Sequence, residues 1–167
     1  GIGDDCSQMH VVDVNGDGLP DIVSASAHRY GIWWHPQYKD ENGNIWFDHY
    51  TISYSTSQTH ATAMADFNGD GYPDLVTGKR YFAHLEHLNP GNKTTIDPGS
   101  YEKPGIYWFE LTPGRRPYWT EHEIDDDSGV GINIIAQDVN GDKHPDIVVA
   151  NKHGVFFFEN TIFPDHR

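Results

Sequence analysis

The 167-residue chain has very little cysteine, few cations and no long apolar run. Cys6 is its single cysteine, so no internal disulfide and no thiolate metal cluster can form. No apolar segment approaches the roughly 20 residues that a membrane-spanning helix needs. No signal peptide is recognisable at the start, so in an exported protein we expect the signal to have been removed already. Only 11 Lys and Arg stand against 25 Asp and Glu, and the resulting net charge of −14 argues against nucleic acid and anionic membranes as partners.

Helical periodicity is also absent, whereas residues that favour strands and turns are abundant. Aromatic residues make up 13 % of the chain, and 17 Gly and 10 Pro supply the turns that many short strands need. The length suffices for one domain with a substantial core. We therefore expect an all-β protein.

An acidic segment occurs three times. It reads DVNGDGLPDIV from Asp13, DFNGDGYPDLV from Asp66 and DVNGDKHPDIV from Asp138. Nine of the 25 acidic residues lie in these three segments, so much of the negative charge is concentrated locally. This concentration predicts that a cation neutralises the loops.

The segments around each acidic loop repeat as well, which predicts a β-propeller. An alternating segment precedes each loop, an apolar strand follows it, and a third, aromatic-rich strand opens with glycine, as in GIWWH and GIYWFEL. With a fourth strand, each unit becomes a blade of four antiparallel strands, A to D, whose A–B connection is the acidic loop. We expect residues 1–167 to form a single propeller segment, with blade 1 at about 7–54, blade 2 at about 57–125 and an incomplete blade 3 at about 129–167.

This blade count implies that further blades complete the ring. Propellers typically have four to eight blades, and slightly under three are present here. We expect the chain to be part of a larger propeller, in which the remaining blades come from the same parent chain or from other copies.

The spacing of oxygen donors in the acidic loops predicts two to three calcium ions. Calcium takes six to eight oxygens in flexible geometry. Side chains at loop positions 1, 3, 5 and 9 and the carbonyl at position 7 would supply them. The predicted ligands are Asp13, Asn15, Asp17, Leu19, Asp21, Asp66, Asn68, Asp70, Tyr72, Asp74, Asp138, Asn140, Asp142, His144 and Asp146.

The third loop departs from the pattern at position 6, where Lys143 replaces glycine. This position needs a left-handed backbone, which costs a non-glycine residue on the order of 1 kcal/mol. The ammonium also repels a cation, so we expect the third site to be the weakest.

An EF-hand shares the D-x-N-x-D-G core, but it requires a bidentate Glu at position 12 and flanking helices. Position 12 here is Ser24, Thr77 or Val149. The strands expected on both sides of each loop also exclude that motif.

The D-x-N-x-D-G-x-P-D units resemble FG-GAP/VCBS repeats, the calcium-binding blades of integrin-α-type propellers and of many secreted bacterial proteins. The resemblance covers nearly the whole chain. It implies the calcium-stabilised propeller but leaves the function open, because such repeats serve adhesion, ligand binding and catalysis. Weak, charge-dense calcium sites suit millimolar extracellular calcium, so we expect an extracellular or periplasmic location.

The face opposite the acidic loops carries the candidate residues for chemistry. Crossovers into strand A contain a repeated SQ-x-H, and the loop after the second strand B reads GKRYFAH. Imidazoles can bind a transition metal or move protons, and Lys and Arg can hold an anion. The candidate catalytic residues are His60, Lys79, Arg80 and His84.

The strand-C aromatics have a structural interpretation. We expect Trp33, Trp34, Tyr107 and Trp108 to fill the core between blades, although a sugar could stack on any that reach the rim. The insertion between Lys79 and Gly105 is rich in Pro, Gly, Asn and Thr, which predicts a long surface loop.

A narrower resemblance concerns residues 55–135, which look like the propeller part of aldos-2-ulose dehydratase-like proteins. It implies that the four candidate catalytic residues belong to a site built around a bound metal. The cupin-like domain that accompanies such propellers is missing from this chain.

Three functions remain open from the sequence. The first is a calcium-binding module that recognises a carbohydrate or protein ligand. The second is a metal-assisted carbon–oxygen lyase acting on a sugar, with a transition metal on the His-rich face. The third is a purely structural part of a large assembly.

Overall fold

The computed structural model describes residues 3–82 and 96–162, and all helices and strands assigned in this part of the chain are β-strands. Among these residues, no helix is long and apolar enough to cross a membrane. The strands are β1 (Cys6–Val12), β2 (Asp21–Ser26), β3 (Tyr30–His35), β4 (Gln37–Lys39), β5 (Ile45–Phe47), β6 (Tyr50–Ser57), β7 (Thr62–Ala65), β8 (Asp74–Gly78), β9 (Ile106–Thr112), β10 (Tyr118–Asp125), β11 (Asn133–Gln137), β12 (Asp146–Asn151) and β13 (Gly154–Phe158).

The strands form three successive antiparallel sheets. The first has the order β1-β2-β3-β6, the second has the order β7-β8-β9-β10, and the third contains β11-β12-β13. Strands β4 and β5, which lie between β3 and β6 in the sequence, form a separate hairpin. This confirms the predicted all-β fold of partial propeller blades, and we call the three sheets blades 1, 2 and 3.

Two apolar clusters hold the blades together. Val23, Ile32 and Trp34 of blade 1 pack with Leu75 and Phe109 of blade 2 in the first cluster. The second cluster lies between blades 2 and 3 and is built on the same pattern. Blade 2 therefore buries one sheet face against blade 1 and the other against blade 3.

The strand-C aromatics belong to this core, as the sequence predicted. Trp33 and Trp34 are buried, whereas Tyr107 and Trp108 are partly buried and pack against the two clusters. Trp33 and Trp34 therefore offer no open ring face to a sugar, whereas Trp108 also lines a pocket together with Phe67 and His122.

Blade 3 leaves its forward face, the one turned away from blade 2, uncovered within the described residues. Val14 of blade 1 and Phe67 of blade 2 stand directly after the first loop Asp and are 0 % and 3 % exposed, whereas the equivalent Val139 is 56 % exposed. Strand C shows the same contrast at two positions. At the first, Ile32 and Ile106 are buried in blades 1 and 2, whereas the equivalent Val155 of blade 3 is exposed. At the second, Trp34 of blade 1 is buried, whereas the equivalent Phe157 is exposed. Blade 3 thus keeps apolar residues at the positions that form blade contacts elsewhere, as a segment of a larger propeller would.

The antiparallel sheets separate two sets of loops. The acidic loops join β1 to β2, β7 to β8 and β11 to β12 at one end of the sheets. The turn from β2 to β3 and the crossover from β6 to β7 meet at the other end, where the Gln58 amide donates to the Arg29 carbonyl over 2.9 Å. We call this end the crossover face.

Candidate functional site

The three acidic loops fold in the same way, through hydrogen bonds between their own side chains and backbone. In the first loop, Asp13 accepts from the amides of Gly16 and Gly18, each over 2.8 Å, and Asp17 accepts from Leu19 over 2.8 Å. The second and third loops repeat these contacts from Asp66 and Asp138. The sequence dictates this turn because short carboxylates and amides bond to amides a few residues ahead.

Loop position 6 takes a left-handed backbone in all three copies. Gly18 and Gly71 have φ values of +85° and +90°, and Lys143 has +74°. Lys143 is therefore the strained member of the set, as the sequence predicted.

The Asp at loop position 9 has a structural role that could not be predicted from the sequence. Asp21 is fully buried and accepts three hydrogen bonds: from the Val14 amide over 3.2 Å, from Trp34 Nε1 over 2.8 Å and from the Gln37 amide over 2.8 Å. The carboxylate thus ties its own loop to the end of strand C. No spacing rule reveals this contact, because Gln37 lies 16 residues away on another strand.

The same tie recurs in the other blades. Asp74 accepts from the amides of Phe67 and Leu111, and Asp146 accepts from those of Val139 and Asn160. Both carboxylates are fully buried. Burial raises the pKa of Asp74 to about 6, although its backbone hydrogen bonds oppose the shift.

The loops match calcium in donor type. They offer carboxylate, amide and backbone carbonyl oxygens, which a hard divalent cation prefers. Within residues 3–82 and 96–162, no three His, Cys, Asp or Glu side chains form a group that could hold a metal ion. The loop carboxylates are held by amides, and an ion would have to use the oxygen lone pairs that these amides leave open.

On the crossover face, Gln58 brings three of the four predicted catalytic residues together. Its carbonyl accepts from the amides of His60 and Arg80 over 2.8 and 3.2 Å, and its Oε1 accepts from Lys79 Nζ over 2.8 Å. Gln58 is fully buried and has a φ of +52°, a left-handed conformation that is uncommon for a non-glycine residue. Strained backbone of this kind concentrates at functional sites. His84, the fourth predicted residue, lies outside the described residues.

Lys79 is a cation that is almost completely buried at this point. It is 1 % exposed, and besides Gln58 it donates to the Arg80 carbonyl over 3.2 Å. Removal from water lowers its pKa to about 8, with nearby Glu102 and Asp97 opposing the shift. Lys79 therefore faces Gln58 rather than solvent, and it holds the Gln58 side chain in place.

A second layer of polar groups surrounds Gln58. Its Nε2 donates to Ser100 Oγ over 3.1 Å and to Asp97 Oδ2 over 3.3 Å. The same Asp97 oxygen pairs with His28 Nδ1 over 2.8 Å, and the rings of His28 and His60 meet edge to face with centroids 5.2 Å apart. The result is one connected group of acid, base and amide side chains, which we call the Gln58 cluster: His28, Gln58, His60, Lys79, Asp97 and Ser100.

Asp97 and Ser100 correct the expectation that the whole insertion runs over the surface. Ser100 is only 2 % exposed, and the nearby Glu102 accepts hydrogen bonds from the hydroxyls of Tyr30 and Ser57. Asp97, Ser100 and Glu102 therefore bond to residues of the crossover face, whereas Tyr101 between them is 64 % exposed. The Pro and Gly content of the insertion concealed this, because it describes turns equally well whether or not they pack.

The repeated SQ-x-H has different roles in its two copies. In the first copy, Ser7 donates to the His60 carbonyl over 2.8 Å and His10 bonds to Thr62 Oγ1 over 2.9 Å. Burial lowers the pKa of His10. The first copy thus joins strand A of blade 1 to strand A of blade 2, whereas the second copy carries the Gln58 cluster.

In a comparison with protein families, the model of the FG-GAP-like repeat matches residues 13–77. The matched range runs from the first acidic loop through the second and supports an FG-GAP repeat fold for this chain. Comparison with curated proteins gave no match.

Proposed function

We propose that the chain is a calcium-stabilised segment of an FG-GAP-type propeller that recognises a ligand, preferably a carbohydrate, on its crossover face. The Gln58 cluster is the observation that carries this proposal. It gathers an amide, a carboxylate, two imidazoles and a buried ammonium in a protein whose net charge is −14. A protein ligand is the other candidate for the same face.

The chemistry of the cluster suits a polyhydroxyl ligand. Sugar hydroxyls both donate and accept, and amide, carboxylate and imidazole groups together supply both roles. His28 and Asp97 keep 38 % and 17 % of their side chains exposed, so they stay accessible while buried Gln58 and Lys79 fix their surroundings. Because these side chains are already held in place, they lose less conformational entropy when a ligand binds.

We further propose that calcium stabilises the blades through the acidic loops. Asp13, Asn15 and Asp17, with the Leu19 carbonyl and the buried Asp21, would hold the ion in the first loop, and the equivalent residues would do so in the others. The ion would supply local positive charge among carboxylates that otherwise repel each other. This role agrees with an extracellular or periplasmic location, where calcium is millimolar.

Thermal unfolding tests the calcium proposal. Saturation at about 100 times the dissociation constant stabilises a protein by about 2.7 kcal/mol per site. Removing calcium with a chelator should therefore lower the melting temperature by several degrees, and re-adding calcium, but not magnesium, should restore it. An unchanged transition would rule out a stabilising calcium ion.

A glycan array, with binding confirmed by calorimetry, tests recognition. His28→Ala should weaken binding of the best glycan at least tenfold. His122→Ala is the matched control, because His122 is also paired with a carboxylate, Glu110, over 2.9 Å and its side chain is 39 % exposed, but it lies on β10. Equal losses in the two variants, or an array without any bound glycan, would count against carbohydrate recognition.

A sugar lyase is a second candidate, favoured by the pairing of His28 with Asp97. A carboxylate on Nδ1 orients an imidazole for proton abstraction at Nε2. His28, or the adjacent His60, would remove a proton α to a sugar carbonyl while the β-hydroxyl leaves as water, and Arg80 would stabilise the enediolate. A transition metal on this face would supply Lewis-acid polarisation of the carbonyl.

Turnover separates the lyase from the binding module. The chain should convert 2-keto sugars to enones, detected by their ultraviolet absorbance, and His28→Ala should abolish this while His122→Ala does not. Binding of the same sugars without enone formation would leave recognition as the function.

A further inference from the structure

A cleft next to the Gln58 cluster separates the crossover-face loops of blades 2 and 3. Its volume is about 320 Å³, and its lining includes Arg80, Tyr81, Ile132, Ala150 and Lys152. Arg80 is the link between the two features, since its amide bonds to the Gln58 carbonyl. A ligand on the cluster could thus extend into the cleft without leaving the crossover face.

The lining of the cleft is cationic, whereas the chain as a whole is acidic. Arg80 and Lys152 are cationic, and no lining residue of the cleft in the described part of the chain is acidic. The whole chain, in contrast, carries a net charge of −14. Asp97 is the acidic group whose field reaches Arg80 from the neighbouring cluster.

Contacts between the loops fix the backbone at Arg80 and the side chain of Lys152. Arg80 and Val130 form a bridge between the two loops, and Lys152 Nζ donates to the Phe82 carbonyl over 3.0 Å. Tyr81, which also lines the cleft, bonds to His153. Partial burial lowers the pKa of Arg80, which means that its guanidinium has already lost part of its hydration.

We propose that this cleft binds the carboxylate of an acidic sugar whose ring lies toward the Gln58 cluster. The proposal rests on the carbohydrate recognition put forward above and names the class of sugar. A planar carboxylate matches the paired N–H groups of a guanidinium. The aliphatic walls from Ile132 and Ala150 suit an organic monoanion better than a strongly hydrated phosphate dianion.

Calorimetric titration with D-glucuronate, D-glucose and inorganic phosphate tests the assignment. Glucuronate should bind at least tenfold more tightly than glucose or phosphate. Arg80→Gln should weaken glucuronate binding at least tenfold and Lys152→Gln several-fold, and each variant should weaken glucuronate binding more than it weakens glucose binding. Arg116→Gln, which removes the same charge from the exposed β9–β10 turn, should change glucuronate binding less than twofold. Circular dichroism of each variant verifies the fold.

Each contrary result has a distinct meaning. If glucose binds as tightly as glucuronate, and Arg80→Gln weakens the binding of neither, the acidic-sugar assignment is wrong but carbohydrate recognition still stands. Phosphate that binds as tightly as glucuronate overturns the carboxylate assignment in favour of a general anion site. Failure of all three probes, together with an array without any glycan hit, rejects both the inference and carbohydrate recognition.

Discussion

Replacement of Asp21 by alanine should destabilise the protein far more than replacement of Asp17, the exposed carboxylate of the same loop. Three donors, the Val14 amide, Trp34 Nε1 and the Gln37 amide, lose their acceptor in a site that water does not reach. Each buried donor left without a partner costs roughly 1–3 kcal/mol. With all three donors at the low end of this range, we expect a loss of at least about 3 kcal/mol.

The matched control lies four residues earlier in the same loop. Asp17 accepts from the Leu19 amide and from Asn15 Nδ2, but it is exposed, so water can replace it. Asp17→Ala should cost less than about 0.5 kcal/mol. Asp21→Asn keeps one acceptor oxygen and should fall between the two.

Urea unfolding in the presence of a chelator measures all three variants without any contribution from bound cations. Thermal unfolding is a second measurement of the same effect. In a protein of this size, a loss of 1 kcal/mol lowers the melting temperature by roughly 2–4 °C, so Asp21→Ala should lower it by about 10 °C. If Asp21→Ala and Asp17→Ala lie within 1 kcal/mol of each other, Asp21 does not tie the loop to strand C.

Three further predictions follow from single residues. Lys143→Gly should stabilise the protein by about 0.5–1 kcal/mol in urea unfolding because it relieves a left-handed backbone; a destabilised variant would contradict the strain. In the folded state the pKa of Lys79 is lowered from 10.5 to about 8, so the neutral form of Lys79 favours folding. The free energy of unfolding of the wild type, relative to that of Lys79→Met, should therefore rise from pH 8 to pH 10.5. If this difference in unfolding free energy stays constant or falls over that range, the lysine is not charged and buried as described. Phe157→Asp, on the open face of blade 3, should cost less than about 1 kcal/mol, whereas Trp34→Asp at the equivalent buried position should unfold the protein; equal costs would mean that the blade-3 face is covered.

Local signals in the sequence predicted the loops and the strands, because the hydrogen bonds of Asp13 and the turn at Gly18 lie within six residues. The same reasoning found Lys143 as the strained copy. It treated Asp21 only as a metal ligand, since the contact with Gln37 forms between strands that the sequence alone does not place side by side.

The crossover face was predicted only in part for the same reason. His60, Lys79 and Arg80 were recognisable as chemically capable residues near strand ends. Asp97 and Ser100 were not, because 39 and 42 residues separate them from Gln58. Turn-rich composition gave no sign that their segment packs inward.

The location of the bound ligand tests the account most directly. Hydrogen exchange of the chain with and without the tightest-binding sugar should show new protection at residues 28–30, 58–60 and 79–81, with little change in the acidic loops. Protection confined to residues 13–21, 66–74 and 138–146 would contradict recognition on the crossover face.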